Sequence, residues 1–109
     1  MKTTYASFAD GALASGALTD IFTPTDTGTV NIVKQCAICN PTGAPITTTL
    51  KVIARTAGTA RTLVSGRSVA AGETYTTPEA INAVVETGGK LQLQGNGLEF
   101  YISGAKVVQ

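Results

Sequence analysis

Cys36-Ala37-Ile38-Cys39 is the segment whose residue types and spacing come nearest to chemistry, since a Cys-x-x-Cys pair is found in redox dithiols and in half-sites for zinc. A redox dithiol uses a helix N-terminus to lower the pKa of its first thiol. These cysteines lie instead in a run of β-branched residues that predicts a strand. In an extended strand, Cα atoms at that spacing are roughly 10 Å apart, beyond the ~7 Å reach of a disulfide. Zinc would require further ligands, and the chain contains no histidine. The pair is therefore expected to be two unbridged, metal-free thiols packed in a strand. Two cysteines are also far too few for a disulfide scaffold, which makes a reducing cytoplasm the expected compartment.

The absence of histidine removes the commonest general base as well as the commonest zinc ligand. Asp10, Asp20, Asp26, Glu73, Glu79, Glu86 and Glu99 fall at turns and strand ends, with no pair at a catalytic spacing. Arg55, Arg61 and Arg67 flank one loop and could meet a phosphate or an acidic protein surface. Without interleaved aromatics they are expected to be solvated strand ends. Eight Lys+Arg against seven Asp+Glu leave a net charge of +1, too small to gather nucleic acid. Gly95-Asn96-Gly97 precedes no helix and matches no phosphate-binding loop. The expectation is a non-enzyme with no catalytic, cofactor-binding or metal-binding residues and no nucleic-acid or membrane partner. No secretory leader is expected at the N-terminus, and nothing approaches the ~18 apolar residues of a membrane-spanning helix.

Tyr5, Phe8 and Leu13 pose a different question. They sit in residues 1–18, a stretch of Gly, Ala, Ser and Thr with no clear period of 2 or 3.6. Such a stretch is too apolar for a solvated tail and too irregular to form an element alone. Residues 1–18 are expected to be an extended arm outside the core, with Tyr5, Phe8 and Leu13 anchoring it on another subunit.

The elements that would carry these residues are short strands divided by Gly and Pro. Residues 18–23 predict a strand, and Pro24 with Asp26-Thr27-Gly28 predicts a turn. Residues 29–40 predict a long strand, with Val30, Ile32, Cys36 and Ile38 toward the core and Val33, Ala37 and Cys39 on the other side. Because both of its sides are apolar, this strand should be central or covered on both faces. In residues 46–55, Ile46, Thr48, Leu50, Val52 and Ala54 share one face, which is core. Gly66 is expected to break residues 62–70 into two short strands. Residues 73–76 predict another strand after an Ala71-Gly72 turn. Thr77-Pro78-Glu79 predicts a helix start, with Ile81, Val84 and Val85 at helical spacing. Residues 90–94 and 98–103 predict a hairpin about Gly95-Asn96-Gly97, with a last run at 106–109. At 109 residues the chain is the size of one domain. The fold class is all-β: a small β-sandwich over residues 19–109, jelly-roll-like, with the N-terminal arm and one short helical turn.

Several of these segments together resemble a known pattern. They are Ile21-Phe22-Thr23-Pro24, the strand ending Cys39-Asn40-Pro41-Thr42-Gly43, Val69-Ala70-Ala71-Gly72-Glu73-Thr74-Tyr75, and Val85-Glu86-Thr87-Gly88-Gly89-Lys90-Leu91. Over about residues 20–104 the chain resembles small structural proteins of tailed bacteriophages, although Gly89-Lys90 stands where that pattern has an acidic residue. The resemblance implies a virion component, foremost a capsid cement or decoration protein on the head exterior whose partner is the major capsid protein. It also implies a homo-oligomer, with a homotrimer favoured at a lattice three-fold. A neck or tail component, or a carbohydrate-binding module for a host surface, is the alternative.

Overall fold

The runs rich in Thr, Val and Ile form strands, and the Gly- and Pro-bearing segments between them turn, in a computed structural model that describes residues 2–108. In chain order the strands are β1 (Lys2–Ala12), β2 (Thr19–Phe22), β3 (Thr29–Cys39), β4 (Ile46–Ile53) and β5 (Arg61–Val69). They are followed by β6 (Thr74–Thr76), a 3-10 turn (Pro78–Ala80), β7 (Val84–Glu86), β8 (Lys90–Gln94) and β9 (Glu99–Val108). One sheet runs β1-β9-β3, with β6 and β7 both paired to the far side of β3; the other runs β2-β8-β4-β5. All pairings are antiparallel. Counting β6 and β7 as one strand interrupted by the 3-10 turn leaves eight strands. Apart from the β4–β5 hairpin, every connection then crosses from one sheet to the other. This is jelly-roll topology, the arrangement favoured among the sandwich, jelly roll and partly closed barrel that the strand spacing allows.

The core lies between the sheets and is built of aliphatic side chains from both: Val33, Ile38 and Ile102 from the first, Leu50, Leu91 and Leu93 from the second, all fully buried. Thr48, Leu50 and their neighbours keep the alternation expected for residues 46–55. The long strand β3 is central, as its two apolar sides require.

Five expectations change. Residues 2–12 do not leave the sandwich. They form β1, an edge strand paired with β9 along its whole length. Its backbone is held by the β9 ladder and needs no apolar period of its own. Leu13 is buried in this chain's own core, donating its N–H to Leu98 O at 2.8 Å, and the Phe8 ring stacks on Phe22 with centroids 4.8 Å apart. Of the three arm residues, Tyr5 stays exposed. The expected arm also included residue 1, which lies outside the described residues.

Within β3, a bulge between Val33 and Gln35 shifts the register, so the inward set is Asn31, Val33, Cys36 and Ile38. Val30 and Ile32 consequently face outward. Gly66 does not break its strand. It sits at φ 62° inside a continuous β5, where the pairing with β4 is irregular. Helical spacing at Ile81, Val84 and Val85 gives way to the strand β7. The turn ends at Ala80 because Asn82, at φ 68°, redirects the chain, and its N–H donates to Val33 O at 2.7 Å. Finally, Gly95-Asn96-Gly97 makes no hairpin, since β8 and β9 belong to different sheets. Gly95 and Gly97, at φ 145° and 95°, carry the chain around a corner, and Leu98 plugs the core beside it. The last expected run continues β9 through Val108, residue 109 lying outside the described residues.

Candidate interaction face

In an antiparallel sheet, directly paired residues project on the same side, so the register gives each face row by row. On the outer side of the first sheet, Tyr5, Ala105, Ile32 and Val84 form one row across all four strand positions. Beside it, Thr3, Val107, Val30 and Glu86 form a second row, and Ser7, Ser103 and Gln35 a third. Further along, Asp10, Tyr101, Ala37 and Thr76 share a row, and Cys39 lies next to Glu99. The Tyr5 row is thus apolar from one edge of the sheet to the other, while the rows beside it mix Val30, Val107, Ala37 and Tyr101 with polar and acidic side chains. Tyr5 is 77% exposed, Tyr101 44% and Val84 42%, and Ile81 at 49% stands just beyond β7.

The second sheet contrasts with this. Its outer side carries Asp20, Lys51, Thr49, Gln92 and Gln94, with Ile53 as the apolar exception. Asp20 accepts from Gln92 Nε2 at 2.8 Å and from Lys90 Nζ at 3.1 Å. The Gln92 amide, and after it the Lys90 ammonium, hold its carboxyl below the ordinary range. This face satisfies itself in water, and the face of the first sheet does not.

The residues singled out for chemistry are dispersed by the fold. Cys36 points into the core at 1% exposure, whereas Cys39 is half-buried on the outer face, and both are free. Burial pushes the Cys36 thiol from 9.0 up to about 11, opposed in part by the Thr77 hydroxyl beside it. Between these two values the unfolded chain loses the proton while the folded chain keeps it. Stability is therefore full below pH 9 and falls as pH rises through 11. The loss from this residue amounts to about 3 kcal/mol, since each unit is worth ~1.4 kcal/mol. Cys36→Val should remove that part of the slope in urea unfolding from pH 8 to 11, at a packing cost of roughly 1 kcal/mol at neutral pH. A variant whose stability declines as steeply as wild type would show that Cys36 is not the group responsible.

The three arginines do not converge. Arg55 pairs with Glu86 at 3.2 Å, and Arg67 lies over the Tyr75 ring at 3.8 Å from its centroid. The Tyr75 hydroxyl in turn donates to Glu79 at 2.5 Å. Arg61 shares with Arg55 an open cleft along the loop after β4. A further cleft of about 240 Å³ lies under the β2–β3 connection, with Asn31 and Phe22 in its wall and the Asp26–Lys106 ion pair at its mouth. Among the described residues, no three His, Cys, Asp or Glu side chains come together as metal ligands. No helix there is long and apolar enough to cross a membrane.

Sequence reasoning picked out Tyr5 on the apolar face and missed Val30, Ile32, Val84, Tyr101 and Val107. The signal for them was present in β3, whose two apolar sides demand cover on both. One side has the second sheet; the other has nothing over it among the described residues. No family model matches the chain, and no curated protein does. Among solved structures, the chain is similar to a chain of infectious bursal disease virus, Gx strain, with a TM-score of 0.55 and 11% sequence identity. The match covers 96% of this chain and 32% of that one, so this protein spans about a third of the viral chain's length, and the likeness is one of fold.

Proposed function

We propose that the protein is a non-enzymatic structural component of a virion, and specifically a cement protein on the head exterior of a tailed bacteriophage. The observation that carries this is the outer face of the first sheet, whose apolar Tyr5 row crosses all four strand positions uncovered and calls for burial against another protein chain, as in an assembly. The sequence resemblance in residues 20–104 and the fold likeness to a chain of a virus support the same reading. Jelly rolls recur in viral capsids, which adds a fold-level argument.

The mechanism is mechanical. Each copy buries a modest area across neighbouring major capsid protein subunits. Repetition over a lattice turns many such contacts into resistance against internal pressure, as multivalent binding does elsewhere. A homotrimer is proposed, since closed symmetry accommodates a small sandwich with uncapped edges and matches a lattice three-fold.

Electron microscopy of purified particles tests this reading. Regular extra density on the head exterior, and particles that rupture at lower temperature when the protein is missing, are the expected results. Density confined to the neck or tail would move the protein there, and its absence from mature particles would end the proposal.

A further inference from the structure

The outer face of the first sheet carries its own aromatic knob and, one row away, a hollow. The knob is Tyr5 at the β1 edge. The hollow, of about 340 Å³, is floored by Ser103 and Gly104 and walled by Tyr5 and Lys34. It exists because Ser103 and the Gly104 backbone leave low ground on β9 between the Tyr5 ring of β1 and Lys34 of β3. Lys34 reaches its rim because the β3 bulge pushes that residue out of the ladder, where its ammonium donates to Asn82 Oδ1 at 2.9 Å.

From this we infer that the face is a self-association surface whose occupant is a second copy of this chain, Tyr5 of each copy seating in a neighbour's hollow. The inference deepens the structural reading above by naming the surface behind its oligomer, and rests on it for the expectation of self-association. Three features favour a like partner. First, the Tyr5 row holds no charge and the Thr3 row beside it carries only Glu86, already paired with Arg55, so two copies approach without strong like-charge repulsion. Second, the face carries both signs, Lys34 at the hollow and Asp10 and Glu99 toward its far end, so that a second copy can bring an acid to each lysine. A tyrosine ring entering the hollow would meet the Lys34 ammonium, a cation–π contact, with the Ser103 hydroxyl within reach of its own.

The third feature is size. Three strand positions at ~4.8 Å and about eleven residues at ~3.3 Å, with the three-residue β6 and β7 beyond them, make a face of roughly 600 Å², at the low end of the ~600–1,000 Å² per partner of a standard interface.

The test is the solution mass of the full chain by analytical ultracentrifugation, for wild type, Tyr5→Ser, Ile32→Glu and the control Thr47→Glu on the exposed outer side of β4 in the other sheet. Wild type should be a dimer or trimer at roughly 100 μM. Tyr5→Ser and Ile32→Glu should each weaken association by at least about 10-fold, and Thr47→Glu should not. Tyr5 is exposed, so its variant decides the matter even if Ile32→Glu fails to fold. A monomeric wild type, or a Tyr5→Ser variant that associates as tightly as wild type, would overturn the inference. Particle binding, measured in parallel, separates the two proposals. A wild type that binds particles as a monomer sinks the self-association surface and leaves the cement reading standing.

Discussion

Gly104→Ala is expected to lower the melting temperature by roughly 15 °C. Gly104 lies in β9 between Ala6 of β1 and Val33 of β3. Both flanking strands are bulged beside it, β1 between Ser7 and Ala9 and β3 between Val33 and Gln35, and the extra residues crowd this point of the sheet. A Cβ at position 104 would lie 2.0 Å from the carbonyl oxygen of Ile32 and 2.9 Å from the Phe8 ring. The ring can turn. The carbonyl belongs to the neighbouring strand and moves only if the ladder opens. Such overpacking costs about 3 kcal/mol, a large share of the 5–15 kcal/mol typical for a domain. For a chain of this size, each kcal/mol corresponds to roughly 4–8 °C. Gly11→Ala is the internal control, because its added Cβ meets the Phe100 ring at 3.3 Å and that ring can yield. Thermal unfolding followed by circular dichroism reads both. If Gly104→Ala melts with Gly11→Ala, the close approach of β3 to β9 has been misjudged.

Asn40→Ala should cost about 2–4 kcal/mol, more than a buried side chain of that size would lose through packing alone. Asn40 is fully buried, and its amide works in four directions. Nδ2 donates to Ala44 O at 2.7 Å and to Val69 O at 2.9 Å, while Oδ1 accepts from Thr42 N at 3.0 Å and Thr42 Oγ1 at 2.6 Å. Its backbone adds two more bonds, N–H to Glu73 O and carbonyl from Gly72 N. One residue thereby joins the end of β3, the turn after it, the end of β5 and the turn into β6, and so clamps one sheet to the other. Alanine strands the Val69 carbonyl away from water, and that unmet acceptor dominates the cost. Asn40→Asp should be no milder, since it keeps the acceptor, loses both donors and aims a carboxylate at two carbonyls. Urea unfolding gives the free energies, and faster hydrogen exchange at the Thr42 and Gly72 amides would locate the damage. A loss below about 1 kcal/mol would mean that water replaces the amide, contrary to its complete burial.

Several features follow from local chemistry that a single strand or turn expresses by itself. The alternation through residues 46–55 marks its buried side without reference to any partner, because side chains in a strand point to opposite faces in turn. The glycine at 72, φ 75° in the structure, marks its turn because few other residues accept that backbone. Strands of this length and spacing, with almost no helical pattern, lead to a two-sheet sandwich, and the Cys36–Cys39 spacing in a strand places the two thiols on opposite faces.

Tertiary structure decided what depends on a partner. A period of two tells which side of a strand is apolar but not which strand lies beside it, so 90–94 and 98–103 read as a hairpin although they enter different sheets. The bulges near Phe8 and Lys34 each shift the alternation by one residue. They show in the pairing with β9, and nothing in β1 or β3 alone announces them. β1 itself was illegible for the same reason, since the backbone groups of β9 hold it and no apolar stripe of its own announces it. The interaction face combines both kinds of information. The second apolar side of β3 is written in the sequence, but that it stands uncovered is decided by the position of β3 between β9 and the β6–β7 pair, where the neighbouring strands fill its edges and leave its outer face open.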